Sequence, residues 1–260
     1  MIHRDLAERV SRGVVLRRRL PTRFHRLPLF VSPEAGLRYW RRDLRKVDQM
    51  LFRMLEELIT PDSVVWDIGA NVGLFTFGAA ALAGANGFVL AVEPDIWLAH
   101  LLVRSSTSVQ QESVPVAAVS VLCAAVSDHN GVAGLNIAQR ARASNHLSSS
   151  TGSSQAGGCR YQQQTLTITL DALLDYFPAP SVVKIDVETA EIGVIQGASR
   201  LLSVARPAIW CEVAEVNSDA ISEILHKHAY KLYSAKTAPS QRTSLARAPW
   251  DTLALPVKQK

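Results

Sequence analysis

Apolar and polar residues alternate in blocks that predict strands followed by helices along most of the chain. Apolar runs over 64–68, 87–92 and 181–188 have the length of buried strands. Apolar residues recur at three- and four-residue spacing over 43–59, which predicts an amphipathic helix, and 74–82 is a second helical stretch. Strands that alternate with helices indicate an α/β protein, with a Rossmann-like, doubly wound and mostly parallel sheet of about seven strands.

Two stretches depart from this pattern. Residues 1–42 are rich in arginine and contain three prolines, so we expect an irregular or short-helical basic extension ahead of a single domain over 43–260. Residues 138–164 consist mainly of Ala, Ser, Gly, Gln and Arg, with few apolar anchors. Such a segment cannot offset its ordering entropy by burial, so we expect a flexible insertion, either disordered or a mobile flap over a ligand site.

The turn after the first apolar strand carries the most informative residues. Gly69 and Gly73 allow the backbone to approach a ligand closely, and the helix that follows presents unpaired N–H groups. Glu93 ends the next strand, where an acid commonly binds the two hydroxyls of a ribose. A dinucleotide site would need a third glycine in this turn. Asp67 instead suits a ligand with an ammonium and a sulfonium, both of which S-adenosylmethionine carries.

Composition is that of a folded enzyme domain. The chain has 260 residues, of which 48% are hydrophobic, and no apolar run reaches the roughly 18 residues that span a bilayer. The first residues lack the apolar core of a secretory signal. The three cysteines are scattered and odd in number, which favours neither a disulfide framework nor a zinc site. We therefore expect a cytoplasmic protein.

The formal net charge of +5 is concentrated in the first fifth of the chain. These arginines either form a solvated helical surface or cap a substrate cleft that favours an anionic or carrier-linked acceptor. Aromatic residues are hardly interleaved with them, so we do not expect a nucleic-acid partner.

One segment identifies a family. Residues 183–191 read Val-Lys-Ile-Asp-Val-Glu-Thr-Ala-Glu, and Gly-Ala follows at 197–198. This resembles the FkbM family of S-adenosylmethionine-dependent methyltransferases, which typically shows Lys-Ile-Asp-x-Glu-Gly-Ala-Glu. The resemblance covers about residues 48–215 and implies a class I methyltransferase fold. Further matching pieces lie at 67–73, 93–94, 124–128 and 169–173.

The resemblance also implies where S-adenosylmethionine binds. Asp67 is expected to attract its ammonium group, directly or through water, and Glu93 to accept from the ribose hydroxyls. Ile96 or Trp97 is expected to lie against the adenine face. The remaining cofactor-binding residues implied are Ser127 and Asp128 near the adenine amino group, Gly69, Ala70, Asn71 and Gly73 near the methionyl part, and Asp186 near the methyl group.

Asp186 and Glu188 are the catalytic residues that the resemblance implies, because they stand where the methyl group meets the acceptor. Transfer to an oxygen requires in-line geometry and removal of the hydroxyl proton. Asp186, Glu188, Glu191 or a histidine such as His146 could act as the base. Alternatively, Asp186 and Glu212 could hold a magnesium ion that lowers the hydroxyl pKa. The expected acceptor is a hydroxyl on a sugar, a glycolipid or a secondary metabolite, either free or linked to a glycan or lipid.

Two other functions are compatible with a fold of this type. A catalytically inactive cofactor-binding module is one, because Thr189 stands where the family has glycine. A β-branched residue takes positive φ with difficulty, so either the turn differs or Thr189 adopts an ordinary conformation. A nicotinamide-dependent oxidoreductase is the other, although it would require the third glycine and no acid at the end of the first strand.

Overall fold

The structure, a computed structural model, describes residues 2–150, 152 and 156–257. Among these residues, no helix combines the length and apolar character needed to cross a bilayer. The helices are α1 (Ile2–Val10), α2 (Gln49–Leu58), α3 (Leu74–Ala83), α4 (Ile96–Gln110), α5 (Leu170–Leu173), α6 (Glu191–Gln196) and α7 (Ser218–Lys227). The strands are β1 (Leu16–Arg19), β2 (Pro28–Val31), β3 (Val64–Ile68), β4 (Phe88–Val92), β5 (Ala118–Leu122), β6 (Ala125–Val126), β7 (Gly131–Ala138), β8 (His146–Leu147), β9 (Cys159–Ile168), β10 (Val182–Ile185), β11 (Ala208–Glu212), β12 (Tyr230–Ser234) and β13 (Asp251–Pro256).

The described residues form a central sheet of seven strands in the order β12-β13-β11-β10-β3-β4-β5. The strands from β11 to β5 are parallel, and β13 is antiparallel to both of its neighbours. Apolar side chains cover both faces, with α2 and α3 on one face and α6 and α7 on the other. The predicted fold class, a doubly wound and mostly parallel sheet, is confirmed.

The predicted helix over 43–59 is shorter than expected. Helix α2 begins at Gln49 because the Asp48 side chain accepts a hydrogen bond from the Leu51 N–H at 2.9 Å and caps the first turn. Residues Leu44–Lys46 form a separate 3₁₀ turn, capped in the same way by Asp43.

The N-terminal region is part of the core. Strands β1 and β2 pair as an antiparallel hairpin, and Phe24, Leu29 and Tyr39 are buried in the same cluster as α2 and α3. The Phe30 N–H donates to the Ser105 hydroxyl of α4 at 2.9 Å, which fixes the hairpin on that helix. The basic region over 2–42 therefore packs with the domain instead of extending from it.

Residues 138–164 also differ from expectation. Strand β9 pairs with β7 in a second sheet, ordered β6-β9-β7-β8 in the described part of the chain, so 159–164 belong to a strand. Arg142 is buried and forms ion pairs with Asp95 at 2.6 Å and Glu34 at 2.9 Å. Strand pairing and buried ion pairs thus tie parts of this segment to the rest of the fold, although they offer little apolar burial. Residues 151 and 153–155 lie outside the described residues.

Candidate active site

The β3–α3 turn has the conformation that its glycines predict. Gly69 has φ of 78°, Asn71 of 53° and Gly73 of 87°. A Cβ on Gly69 would lie 1.9 Å from the carbonyl oxygen of Asp186, which is closer than atoms can approach. Glycine is therefore required at 69, because it lets the ends of β3 and β10 approach each other.

A cavity of about 320 Å³ opens at the carboxyl ends of these strands, a size within the roughly 300–1,000 Å³ of small-molecule sites. We call it the central cavity. The β3–α3 turn, the ends of β4, β10 and β11, the N-terminal region and the segment around 142–147 all contribute to its walls. Six of the predicted site residues line it: Gly69, Ala70, Asn71, Glu93, Asp186 and Glu188.

Glu93 is held at the end of β4 by two backbone donors. Its Oε2 accepts from the Asn71 N–H at 2.8 Å and its Oε1 from the Asp95 N–H at 2.9 Å. The carboxyl group is buried, and burial raises the pKa of Glu93 to about 8. A buried carboxyl that faces a cavity and already fixes the neighbouring turn is well placed to accept hydroxyl donors from a ligand.

Asp67 has a partner that the sequence reasoning missed. The Lys184 Nζ lies 3.2 Å from Asp67 Oδ1, and the Thr76 hydroxyl donates to Asp67 Oδ2 at 2.6 Å. Asp67 is completely buried and lies outside the lining of the central cavity, whereas Lys184 lines it. The predicted contact of Asp67 with an ammonium group stays a prediction, and the geometry gives this acid an internal cation instead.

Three carboxyl groups lie on the opposite wall of the cavity, at the ends of β10 and β11. Burial raises the pKa of Glu188 to about 7, and the negative charges of Asp186 and Glu191 add to the effect. Burial, together with Asp186, likewise raises the pKa of Glu212 to about 8. Lys184 lies 3.3 Å from Asp186 Oδ2. This wall therefore contains carboxyl groups that titrate near neutral pH beside a fixed cation.

Lys184 is the cation that holds this wall together. Burial by itself would lower the pKa of Lys184, but the carboxylates of Asp67, Asp186 and Glu212 raise it above its ordinary value. The lysine therefore stays charged, and it links the acid below the β3–α3 turn to the acids of the opposite wall.

Thr189 adopts a left-handed backbone conformation. Its φ is 71°, and that of Glu188 is 48°, so the expected alternative of an ordinary conformation at Thr189 is wrong. The Thr189 N–H donates to Glu191 Oε1 at 2.7 Å, and Thr189 Oγ1 accepts from the Gly152 N–H at 3.0 Å. The Asn217 side chain donates to the Thr189 carbonyl at 3.1 Å. These contacts stabilise a conformation that a β-branched residue rarely adopts.

The two alternative bases have different surroundings. Glu191 lies outside the lining of the cavity, and Asn217 Nδ2 donates to its second oxygen at 2.8 Å, so both of its oxygens accept hydrogen bonds within the turn. His146 lines the cavity, and its Nε2 lies 3.3 Å from Asn136 Nδ2. The geometry therefore favours a structural role for Glu191 and places His146 at the wall of the central cavity.

Besides Asp67, four predicted cofactor residues lie outside the lining of the cavity: Gly73, Trp97, Ser127 and Asp128. The Trp97 ring packs against the Arg142 guanidinium, 4.9 Å from the ring centroid. Asp128 follows β6 of the second sheet, and its side chain accepts from Ser127 and pairs with His129 near the surface. The predicted adenine contacts of these residues stay predictions.

Arg38, Tyr39, Arg142 and Lys184 line the cavity; the sequence analysis gave Arg38 a site role only in the alternative of an arginine cap over a substrate cleft, and gave the other three none. The only signal for Lys184 was a charge inside an apolar strand, and the others lie in regions that were assigned to an extension and an insertion. Among the described residues, no three His, Cys, Asp or Glu side chains are grouped to hold a metal ion. Magnesium often binds through only one or two carboxylates and water, so that alternative stays a prediction.

A parallel α/β sheet whose first glycine turn and next strand-ending acid share one cavity has the architecture of class I methyltransferases. The profile of the methyltransferase FkbM domain matches residues 67–232, more than half of the chain. The chain therefore belongs to the FkbM family of methyltransferases.

The chain is similar to one curated relative and to two solved structures. The hexuronic acid methyltransferase AglP of Haloferax volcanii is 30% identical over 166 residues, which is 63% of this chain and 61% of that protein. Methyltransferase FkbM from Methylobacillus flagellatus is 16% identical, with a TM-score of 0.46 over 78% of this chain and 49% of that one. Precorrin-6y C5,15-methyltransferase from Geobacter metallireducens is 14% identical, with a TM-score of 0.46 over 82% and 90% of the two chains.

Proposed function

We propose that this protein methylates an oxygen, most simply a hydroxyl group of a sugar, glycolipid or secondary metabolite, with S-adenosylmethionine as the methyl donor. The observation that carries the proposal is the central cavity, in which Glu93 from β4 and the acids that follow β10 lie around the same glycine turn. The relative AglP, a hexuronic acid methyltransferase by name, supports a sugar acceptor.

The residues of one wall fit the donor. Glu93 would accept hydrogen bonds from the two ribose hydroxyls, since its carboxyl group faces the cavity and its orientation is fixed by backbone N–H donors. The backbone of Gly69 and Ala70 would lie along the methionyl part. Asp186 would attract the ammonium group or orient the acceptor. When bound, the donor supplies a methyl group made electrophilic by the sulfonium charge.

The residues of the other wall fit the acceptor. The proton of a hydroxyl group becomes more acidic as the oxygen attacks the methyl group. A base with a pKa near the working pH removes this proton most effectively. Glu188, whose pKa is about 7, meets this requirement, and Asp186 beside Lys184 would orient the hydroxyl. Arg38 and Arg142 line the same cavity and would favour an acceptor that carries a negative group.

The experiment is methyl transfer from S-adenosylmethionine labelled in its methyl group to the methyl glycosides of glucuronic acid and glucose. Label that survives mild alkali is a methyl ether, whereas label that alkali releases is a methyl ester on the uronic carboxylate. The ether confirms hydroxyl methylation, and the ester would replace the hydroxyl with the carboxylate as the acceptor. Binding of the donor without transfer to any acceptor would leave a catalytically inactive module.

A pair of aspartate variants assigns the role of the acceptor wall. Asp186→Asn should lower transfer about 100-fold, the effect of misplacing a reactant by about 1 Å. Asp62→Asn is the matched control, because Asp62 is exposed, far from the cavity in the β3 lead-in, and asparagine tolerates its positive φ of 65°. Equal activity of the two variants would remove Asp186 from the mechanism.

A further inference from the structure

A second concave site lies beside the central cavity. It is a cleft of about 680 Å³ between the β1–β2 hairpin and the segment 42–45, and we call it the arginine cleft. Six of its eleven lining residues are arginines and one is acidic. Those arginines are Arg17, Arg18, Arg19, Arg26, Arg42 and Arg45.

Most of this positive charge is not neutralised by the protein. Asp43, the one acidic residue that lines the cleft, forms a bidentate ion pair with Arg45 at 2.9 Å. Arg19 pairs with Glu112 at 3.0 Å. Among the residues that the structure describes, no acidic side chain pairs with the other four arginines.

Arg18 is held in place by neutral partners. Its guanidinium donates to the backbone carbonyls of Arg17, Trp40 and Arg41, so its position is fixed without an anion. Partial burial and the nearby charge of Arg42 lower the pKa of Arg18. Like charges that the fold brings together cost free energy, which an anion bound between them would recover.

The arginine cleft is adjacent to the central cavity along the chain. Gly36, Arg38 and Tyr39 line the central cavity, and Arg42 lines the cleft. Three residues of extended chain span at most about 11 Å, so the linings of the two sites lie within that distance of each other at this point of the chain. Two of the three carbonyls that hold Arg18 belong to Trp40 and Arg41, which directly follow Tyr39 in the chain.

We infer that the arginine cleft binds a phosphate or diphosphate group carried by the acceptor, while the acceptor hydroxyl lies in the central cavity. Guanidinium groups bind phosphate oxygens in bidentate pairs, and several arginines in one concavity match a multiply charged anion better than a single carboxylate. This inference rests on the proposed function for the identity of the acceptor, but the anion site can be tested without it.

The test is calorimetric titration of the full chain with inorganic pyrophosphate. The parent chain should bind it saturably, and the double variant Arg17→Ala/Arg42→Ala should bind it at least about tenfold more weakly. Both side chains are exposed, and neither forms an ion pair within the described residues, so the variant should fold normally. Arg200→Ala is the control, because it removes an arginine that lies outside the cleft and pairs with Asp175. This variant should leave the pyrophosphate affinity within about twofold of the parent value.

Three outcomes would overturn the inference: no saturable binding by the parent chain, no effect of the double variant, or an equal loss in Arg200→Ala. A parallel flotation assay with phosphatidylglycerol vesicles, and phosphatidylcholine vesicles as the control, separates the two sources of phosphate. Vesicle binding that pyrophosphate does not displace would also overturn it, since the cleft would then be part of a membrane-facing surface. Titration of the double variant with S-adenosylhomocysteine should give the parent affinity, and failure of the parent chain in that titration would count against the proposed function alone.

Discussion

Lys184 of β10 and Asp67 of β3 are register partners in the central sheet, and the Lys184 Nζ lies 3.2 Å from Asp67 Oδ1. Both side chains are buried at the carboxyl edge of the sheet, directly below the glycine turn. The pair supports the turn from below and leaves Asp186, which Lys184 also contacts, at the cavity wall. The acid of the first motif, Asp67, is thus paired within the fold, whereas Asp186 lines the cavity.

Loss of the lysine should destabilise the protein strongly. Lys184→Met leaves Asp67 buried without its cation, and breaking a buried ion pair in this way costs about 3–5 kcal/mol. Chemical denaturation measures the free energy of unfolding, with Lys231→Met on the exposed side of β12 as the control. The double variant Lys184→Met/Asp67→Asn should regain part of the loss. A loss of less than about 1 kcal/mol in the single variant would mean that the pair has no structural role.

The segment 138–164 should be energetically coupled to the domain through Arg142. Its guanidinium pairs with Asp95, which also caps α4, and with Glu34 of the N-terminal region. Arg142→Met should therefore cost about 3–5 kcal/mol of unfolding free energy, because the buried Asp95 loses its cation and Glu34 keeps only Arg160. Arg140→Met, two residues away, should change it by less than about 0.5 kcal/mol. Similar free energies of unfolding for the two variants would mean that the segment is a flexible insertion, as the sequence predicted.

Binding of S-adenosylhomocysteine should depend on pH through Glu93. Its pKa of about 8 means that the carboxyl group is mostly protonated at pH 7, whereas ribose hydroxyls are best accepted by the ionised form. Affinity should therefore rise about tenfold between pH 7 and pH 9, with release of a proton on binding. Calorimetry in two buffers of different ionisation enthalpy measures that proton. In Glu93→Gln, only the pH dependence that comes from the ligand's own ionisable groups should remain. An identical pH profile of affinity for the parent chain and Glu93→Gln would exclude Glu93 as the titrating group.

The same pKa shift has a defined effect on stability. Because the folded pKa lies above the unfolded value of 4.5, the contribution of Glu93 is fully present below pH 4.5 and is lost as pH rises through about 8. Glu93→Gln should therefore gain stability relative to the parent chain as pH increases from 6 to 9. Thermal unfolding across that range checks the direction, and a difference that does not vary with pH would contradict the burial of an ionisable group there.

Two substitutions of Thr189 should differ in their effect on the free energy of unfolding. Thr189→Gly relieves a left-handed conformation that costs about 1–2 kcal/mol, but it loses the hydroxyl that accepts from Gly152 and adds chain entropy, so stability should stay within about 1 kcal/mol. Thr189→Val keeps the strain and loses the acceptor, so it should be less stable than Thr189→Gly by about 1–3 kcal/mol. Denaturation of both variants gives the order, and the reverse order would show that the backbone is not strained.

The sequence predicted the sheet and half of the site for a physical reason. Strand ends and the glycine turn are local patterns, so Glu93 could be placed at the ligand edge from them, whereas the site roles of Asp186 and Glu188 came from the family resemblance. Lys184 could not be assigned, because its partner Asp67 is 117 residues away and only strand register brings the two together. The same holds for Arg142, which is polar by composition and is buried only because distant acids meet it.

The measurement that tests the central claim most directly is calorimetric titration with S-adenosylhomocysteine of the parent chain, Glu93→Gln and Glu223→Gln. Glu223 lies exposed on α7 and serves as the matched control. At pH 9, where Glu93 is mostly ionised, micromolar binding by the parent chain and the control, weakened at least about tenfold in Glu93→Gln, is the predicted result, since a charge-assisted hydrogen bond contributes about 1.5–3 kcal/mol. Absence of binding by the parent chain, or equal affinity of all three proteins, would contradict a nucleoside site built on Glu93.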